Sequence, residues 1–203
     1  MFSHSPLHLL KKNSKIIILS GILVALASML VSLLFPLQYR ADAEVFIISK
    51  SRYGVDPYTV VKSAERVGEN IAQVMKTDDF YQKVITQEGY ILDLTDFEGE
   101  GVTERTKRKR WQKAIQSSVV FGTGVLHVSA YHEDPGQAKA FAGAAVDTLV
   151  AKGWEYVGGD VTMKVVNKPV VTKFPARPNL LVNTVLGFIV GVLLMGVVAL
   201  RRK

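Results

Sequence analysis

The chain has 203 residues, no cysteine, and 25 Lys and Arg residues against 18 Asp and Glu residues, which gives a formal net charge of +7. Without cysteine there is neither a disulfide framework nor a thiol nucleophile. The excess charge lies at the two ends, in the lysines of residues 11–15 and in the cations of residues 201–203, whereas the long middle region is almost neutral. This distribution indicates membrane topology and argues against binding of nucleic acid.

Two uncharged apolar runs, residues 16–35 and residues 180–200, lie just inside the charged ends. At a rise of ~1.5 Å per residue, each is long enough to cross the ~30 Å core of a bilayer as a helix. The A-x-A sequence at Ala41 leaves a cleaved signal peptide open for the first run, but the run is longer than a signal peptide needs, which favours a retained anchor. We therefore expect a two-span protein of the cytoplasmic (inner) membrane. The flanking cations predict that both termini are cytoplasmic, namely residues 1–15 and 201–203.

The first half of the middle region, residues 36–179, predicts one strand followed by two helices. Apolar residues alternate with polar ones over Tyr39–Ser49, as in a strand with one buried face. Asp56 and Pro57 then supply a cap and a first helical residue, and apolar residues recur at helical spacing up to residue 76. A second helix is expected from residue 77 or 78 to Gly89.

The second half predicts a loop, a hairpin, a helix and a last strand. Residues 90–104 are acidic and read as a loop, and residues 118–121 and 125–131 form two runs joined by a Gly-Thr-Gly turn. Asp134 and Pro135 begin a helix that should reach residue 154 or 156 before Gly158 and Gly159. Val161–Val171 is the last strand, and Pro169 restricts it to a sheet edge or a strand end.

This order predicts an α+β fold in which two transmembrane helices flank one extracytoplasmic domain. The domain should follow the ferredoxin-like β-α-β-β-α-β plan with one extra helix, so that four strands form a sheet and the helices cover one of its faces. Residues 36–179 would be this domain, including a proline-rich exit segment, and the spans would be residues 16–35 and 180–200.

At this point the chain resembles the Wzz-type polysaccharide chain-length determinants, also called polysaccharide co-polymerases. The resemblance is carried by the basic N-terminus with its span, by Tyr39-x-Ala41, by the helix start Asp134-Pro135-x-x-Ala138, and by Pro175-x-x-Pro178 before a glycine-bearing second span. Pro169 departs from the three-residue proline repeat of the family. No G-x-x-x-x-G-K-[ST] motif is present, so the chain resembles the short, kinase-less form.

The resemblance implies a membrane-anchored oligomeric scaffold that regulates the chain length of a surface polysaccharide such as O-antigen (lipopolysaccharide), capsule or exopolysaccharide. Its partners would be the polysaccharide polymerase, the lipid-linked glycan and further copies of the chain. An alternative is an adaptor that activates a cytoplasmic tyrosine kinase in capsule synthesis, although the short expected tail argues mildly against it. A two-span sensor is a third possibility, and it would need a cytoplasmic output module.

Two motifs of small or rigid residues flank or lie in the second span. Pro175 and Pro178 are expected to be the most function-sensitive positions, because each proline fixes its own φ and keeps the preceding residue out of the helical region. The alternative is that they only stop the last strand. Gly187-x-x-x-Gly191 would let a second helix approach closely, or would simply be tolerated in a membrane helix.

The run of cations in residues 105–110 has two open interpretations, a solvated face that pairs with neighbouring acids or a contact for an anionic glycan. Its members are Arg105, Lys107, Arg108, Lys109 and Arg110. His127 and His132 are five residues apart on one strand and point to opposite faces, so we expect no metal site. Nothing in the sequence resembles a catalytic motif, and we expect a protein that is not an enzyme and needs no cofactor.

Overall fold

The computed structural model describes residues 10–49, 56–99, 101–158 and 161–201. Gly159, most of the predicted N-terminal segment and residues 202–203 of the predicted tail lie outside these ranges. The chain divides into two compact units. One consists of Met1–Leu37 with Pro175–Lys203 and is called the helical unit here; the other, Gln38–Phe174, is called the sheet unit.

The helical unit contains helix α1, Ser14–Leu33, and helix α7, Leu180–Arg201. Both are long and apolar enough to cross a membrane, and most of their large apolar side chains are exposed. Asn179 begins α7, where its side-chain Oδ1 accepts a hydrogen bond from the backbone N–H of Val182 at 3.2 Å. The two predicted apolar runs are therefore both helical.

The sheet unit contains four strands and five helices within the described ranges. In chain order they are β1 (Tyr39–Ser49), α2 (Pro57–Val74), α3 (Asp78–Ile85), α4 (Glu104–Ala114), β2 (Ile115–Val119), β3 (Val125–His132), α5 (Pro135–Lys152), α6 (Trp154–Val157) and β4 (Val161–Val171). All neighbouring strands are antiparallel, and their order across the sheet is β2-β3-β1-β4. The predicted mixture of helices with a four-stranded sheet is confirmed.

Strand β1 lies inside the sheet, between β3 and β4. Ala41 is paired with Ala130 of β3 on one side and with Val171 of β4 on the other. The beginning of β1 and the end of β4 are therefore neighbours. The alternation predicted for β1 is present, since its buried side chains are those of Ala41, Ala43, Val45 and Ile47.

Each long helix of the sheet unit begins with an aspartate and a proline, as the sequence predicts. Asp56 accepts hydrogen bonds from the backbone N–H groups of Tyr58 and Thr59, and Asp134 accepts one from Gln137 at 2.8 Å. The proline that follows each aspartate occupies a first-turn position where no N–H is needed. Buried residues of both helices, among them Ile71 and Phe141, belong to the same core as the buried residues of the sheet.

Three predicted boundaries are wrong. The second predicted helix, α3, ends at Ile85 and not at Gly89, because the N–H of Gln87 bonds to the carbonyl of Val84, three residues back, and so leaves the α-helical pattern. The helix predicted to start at Asp134 is α5, and it ends at Lys152. A separate short helix, α6, covers Trp154–Val157. The first hairpin strand begins at Ile115, three residues earlier than predicted.

The cationic run also forms a helix that the sequence pattern does not reveal. Helix α4 covers Glu104–Ala114, and Thr103 caps it by accepting from the N–H of Thr106 at 3.3 Å. Arginine, lysine and glutamine have good helix propensity, so the run is compatible with a helix despite its charge. Glu104, predicted to end the loop, is its first residue.

Candidate functional site

Trp111 holds helix α4 against the rest of the sheet unit. The indole of Trp111 is 1% exposed and donates a hydrogen bond to the carbonyl of Met75, at the end of α2, with a distance of 2.8 Å. Its ring also meets those of Tyr81 and Phe97 at angles of 75° and 71°. Such edge-to-face contacts add to the burial of apolar area, and together they fix the rotation of α4 about its axis.

One side of α4 contacts the acidic loop. The Lys107 ammonium lies 3.9 Å from Glu98 Oε1 and 4.6 Å from the centre of the Tyr81 ring, and Arg110 donates to the backbone carbonyl of Asp96. Burial, with the hydrogen bond that its hydroxyl donates to Glu98, raises the pKa of Tyr81. Two of the five predicted cations therefore pair within the unit.

The other side of α4 carries cations with no such partners. Arg105, Arg108 and Lys109 follow the i, i+3, i+4 spacing of one helix face, and all three are exposed. Within the described ranges none of them forms an ion pair or hydrogen bond. The fixed rotation of α4 therefore divides the cationic run into a paired side and an unpaired side.

Arg108 borders a pocket of about 380 Å³ where the end of α2, the start of α3 and helix α4 come together. All of its lining residues have polar or charged side chains; they are Gln73, Lys76, Thr77, Asp78, Arg108 and Gln112. Gln112 donates from Nε2 to the carbonyl of Lys76 at 3.3 Å, and the Lys76 ammonium donates to Gln73 Oε1 at 3.2 Å. The pocket thus holds two cations, two amides and one carboxylate.

The two helices of the helical unit approach each other closely at their glycines. A Cβ atom added at Gly187 would lie 2.7 Å from Ser28 Cβ, and one added at Gly191 would lie 2.8 Å from the carbonyl oxygen of Ser20. Gly21 of α1 is equally constrained, since its added Cβ would meet Val192 Cγ2 at 2.7 Å. Any side chain at these three positions would push the helices apart.

Polar side chains connect the same two helices. The Ser28 hydroxyl donates to the carbonyl of Asn183 at 2.9 Å, and Asn183 Nδ2 donates to Ser32 Oγ at 2.9 Å. Ser32 in turn donates to the carbonyl of Ser28 at 2.9 Å. These three residues are called the polar seam here. Their hydrogen bonds pair polar groups that would find no water inside a membrane.

Residues 7–88 match the family model described as Wzz, chain length determinant protein. This part of the chain is therefore similar to a Wzz chain length determinant domain. A search among curated proteins finds no match for the chain. The matched part includes α1, β1, α2 and α3, and it ends before helix α4. It therefore contains one wall of the polar pocket, from Gln73 to Asp78, but not Arg108 or Gln112.

The proline pair lies between β4 and α7, in residues without regular helix or strand structure. Pro175 and Pro178 belong to the helical unit, whereas the cations of α4 belong to the sheet unit. Helix α7 begins two residues after Pro178. The expected sites are therefore three separate features: the exit prolines, the glycine contact and the cationic helix.

The two strand histidines have different surroundings. His127 Nε2 lies 3.3 Å from Asp42 Oδ1 and its Nδ1 lies 3.6 Å from Glu44 Oε1, whereas the His132 ring stacks on Phe141. Within the described ranges no group of three potential ligands could hold a metal ion. The two histidines do not meet.

Sequence reasoning missed the pocket and the polar seam. A usable signal for the pocket was that Gln112 follows Arg108 by four residues and Arg105 by seven, which places all three on one helix face. For the seam, the signal was Asn183, an amide within an otherwise apolar span.

Proposed function

We propose that this chain is a membrane-anchored scaffold that regulates the chain length of a surface polysaccharide without performing bond chemistry. The observation that carries the proposal is the match of residues 7–88 to the chain length determinant family. The presence of two apolar helices, one on each side of the sheet unit in the chain, is consistent with a protein of the inner membrane. Several copies would assemble and set how long the polymerase retains the growing lipid-linked glycan.

The test of this function is deletion of the gene, followed by comparison of the polysaccharide ladder on a gel. We expect the length distribution to change and the wild-type gene on a plasmid to restore it. A ladder that is unchanged after deletion contradicts the proposal. Loss of tyrosine-kinase autophosphorylation with an unchanged ladder would assign the chain to the adaptor class instead.

For the membrane topology, we propose that both termini are cytoplasmic and that residues 36–179 lie outside. The support is the placement of cations at both chain ends. Because the chain has no cysteine, single cysteines report their own accessibility. Tyr58→Cys, at a side chain that is 74% exposed, should react with an impermeant maleimide in intact spheroplasts, whereas Lys12→Cys should react only after lysis. The reverse pattern contradicts this topology.

For the sheet unit, we propose the ferredoxin-like plan. The strand order β2-β3-β1-β4 and the placement of α2 and α5 in the chain support it, because each helix connects strands that lie on the same sheet. Helices α3 and α4 would then be additions between α2 and β2.

For the exit segment, we propose that Pro175 and Pro178 limit the upward growth of helix α7 and so set the position of the sheet unit above the membrane. The double change Pro175→Ala with Pro178→Ala should alter polysaccharide length while expression and oligomer size are retained. Pro169→Ala, in the edge strand, is the matched control and should leave length unchanged. If the double variant also leaves it unchanged, the prolines only stop the last strand.

For the glycines, we propose that Gly187 and Gly191 hold α7 against α1 of the same subunit. The close distances to Ser28 and Ser20 support this role. If this role is correct, a larger side chain at either position weakens the contact between the helices, whereas simple tolerance of glycine in a span predicts no such effect.

A further inference from the structure

We propose that the polar pocket at Arg108 is a binding site for a carboxylate-bearing sugar residue of an acidic glycan. Arg108 and Lys76 would contact the sugar carboxylate, and the amides of Gln73 and Gln112 with the carboxylate of Asp78 would contact its hydroxyl groups. This inference rests on the proposed function in polysaccharide chain length, and it names the class of glycan and the place of contact.

The positive charge of Arg108 is not paired with any group in the described part of the chain. Lys107 and Arg110 on the same helix interact with the acidic loop, whereas Arg108 has no ion pair or hydrogen bond in the described part of the chain. A guanidinium presents a planar pair of donors that matches a carboxylate. Lys76 adds a second cation at the pocket, and within the described ranges its ammonium donates only to the neutral amide of Gln73.

The remaining groups of the pocket suit sugar hydroxyls. Gln73 Nε2 and Gln112 Oε1 have no hydrogen-bond partners in the described ranges, because each amide uses only its other atom. They offer one donor and one acceptor, and Asp78 offers two more acceptor oxygens. The hydroxyl of Thr77 is occupied, since it donates to the carbonyl of Val74 and accepts from the N–H of Phe80.

The size and lining of the pocket suit a sugar better than a lipid surface. A pocket of about 380 Å³ is at the lower end of the range for small ligands, which is suitable for one or two sugar rings. A lipid surface would be better served by cations beside exposed apolar anchors, and no apolar or aromatic residue lines this pocket. The neighbouring cations Arg105 and Lys109 continue along the same face of α4 and would attract the adjoining residues of an acidic polymer.

The experiment measures the affinity of the purified full-length protein in detergent for a short oligogalacturonate. Its methyl ester is the matched ligand, because it keeps every hydroxyl and removes only the charge. We expect the methyl ester to bind at least about tenfold more weakly, since hydrogen bonds to charged groups are the stronger ones. Equal affinity for the two ligands overturns the proposal.

The variants Arg108→Gln and Lys76→Gln should each weaken oligogalacturonate binding by about tenfold. Lys164→Gln on β4 is the matched control, because its exposed side chain lies on the sheet face opposite to the helices, and it should leave the affinity unchanged. Unaltered thermal unfolding in all three variants ensures that affinity alone is compared. Binding that Arg108→Gln does not weaken, or that inorganic phosphate displaces at equal concentration, overturns the site.

The same variants separate the pocket from the proposed function. Failure of oligogalacturonate to bind, together with a ladder that responds to gene deletion, overturns the pocket and leaves the function standing. Binding that depends on Arg108, together with a ladder that ignores deletion, supports the pocket and contradicts the function. If both hold, the Arg108→Gln gene should shift the ladder where the Lys164→Gln gene does not.

Discussion

The two units of this chain differ in the size of the side chains that they bury. The sheet unit buries large aromatic side chains beside many alanines, and Trp111, Tyr81 and Phe80 are each no more than 1% exposed. The helical unit buries mainly small ones and leaves large apolar residues outside, as with Leu30 at 65% and Leu193 at 63% exposed. Its buried residues are Ile17, Gly21, Ala25, Ser32, Gly187, Gly191 and Ala199.

This difference follows from the solvent that each unit is suited to. In water, large apolar side chains are driven inward because their exposed surface is costly. In a bilayer the lipid tails are as apolar as leucine, so helices associate through close backbone approach and hydrogen bonds. The comparison predicts that the sheet unit is sensitive to loss of volume and the helical unit to gain of volume.

The largest effect is expected for Trp111→Ala in the sheet unit. It removes a buried ring, leaves a cavity among Tyr81 and Phe97, and deprives the carbonyl of Met75 of its donor. Aromatic deletions of this kind cost about 3–5 kcal/mol of unfolding free energy. Chemical denaturation followed by far-UV circular dichroism measures this loss. Trp154→Ala is the matched control, because that indole is 57% exposed and should cost far less. Similar losses in the two variants would contradict the role of Trp111.

The next effect is expected for Gly187→Ile in the helical unit. The new side chain would meet Ser28 and separate the helices, and overpacking of this kind costs about 1–3 kcal/mol. The measurement is disulfide formation between Ser32→Cys and Asn183→Cys, whose side chains are in contact in the parent protein.

Gly196→Ile is the matched control for this change. The nearest atom to a Cβ added at Gly196 is Leu10 Cδ2 at 3.9 Å, so the position has room. We expect cross-linking to fall several-fold with Gly187→Ile and to persist with Gly196→Ile. Equal cross-linking in both would show that the glycines are only tolerated.

A smaller effect is expected for Tyr90→Phe, which also tests pH dependence. The Tyr90 hydroxyl donates to Asp147 Oδ2 at 2.6 Å, and burial with this bond raises the pKa of Tyr90 to about 12, from an ordinary value of ~10. A raised pKa means that stabilisation is complete below pH ~10 and is lost as the pH rises to about 12.

Tyr90→Phe should therefore cost about 1 kcal/mol near neutral pH and make the loss of stability between pH ~10 and ~12 shallower. Part of the slope will persist, because the pKa values of Tyr81 and Tyr156 are also raised. Unfolding curves at a series of pH values measure both effects. Tyr58→Phe is the control, since Tyr58 is 74% exposed. An unchanged alkaline slope in Tyr90→Phe would contradict the assignment.

The smallest effect is expected for Asn183→Leu in the polar seam. Hydrogen bonds between membrane helices average only about 0.6 kcal/mol, because the separated helices also find partners. Thr184→Val is the matched control, since the Thr184 hydroxyl donates within its own helix to Leu180. Because this change replaces residue 183, the cross-link between positions 32 and 183 cannot be used. The thermal unfolding of the two variants in detergent is compared instead. A loss above about 2 kcal/mol would mean that the seam dominates the helix contact.

Much of the fold could be predicted because its signals are local. The alternation of β1 and the Asp-Pro starts of α2 and α5 depend on neighbours in sequence, and β4 was predicted with its observed bounds, Val161–Val171. The cationic helix α4 was not recognised, since its only strong apolar anchor is Trp111, and one apolar residue gives no period. What fixes that helix is the carbonyl of Met75, far away in sequence.

The candidate site could be predicted only in part for the same reason. Charge alone made Arg105 to Arg110 equivalent, whereas contacts with Glu98 and Asp96 distinguish Lys107 and Arg110 from Arg108. The pocket also needs Lys76 and Asp78, which come from a different pair of helices. Long-range packing of this kind leaves no spacing in the sequence to detect.

The neighbouring positions of Ala41 and Val171 have a mechanical consequence. The two connections that lead out of the sheet unit begin at adjacent ends of β1 and β4, strands that run antiparallel. A force that pulls those connections apart would load the ladder one residue pair at a time, starting at the hydrogen bond from the Thr172 N–H to the Arg40 carbonyl, next to the pair of Ala41 and Val171. A force along the strands would load all pairs at once. The sheet unit is therefore mechanically weakest in the direction that pulls these two connections apart.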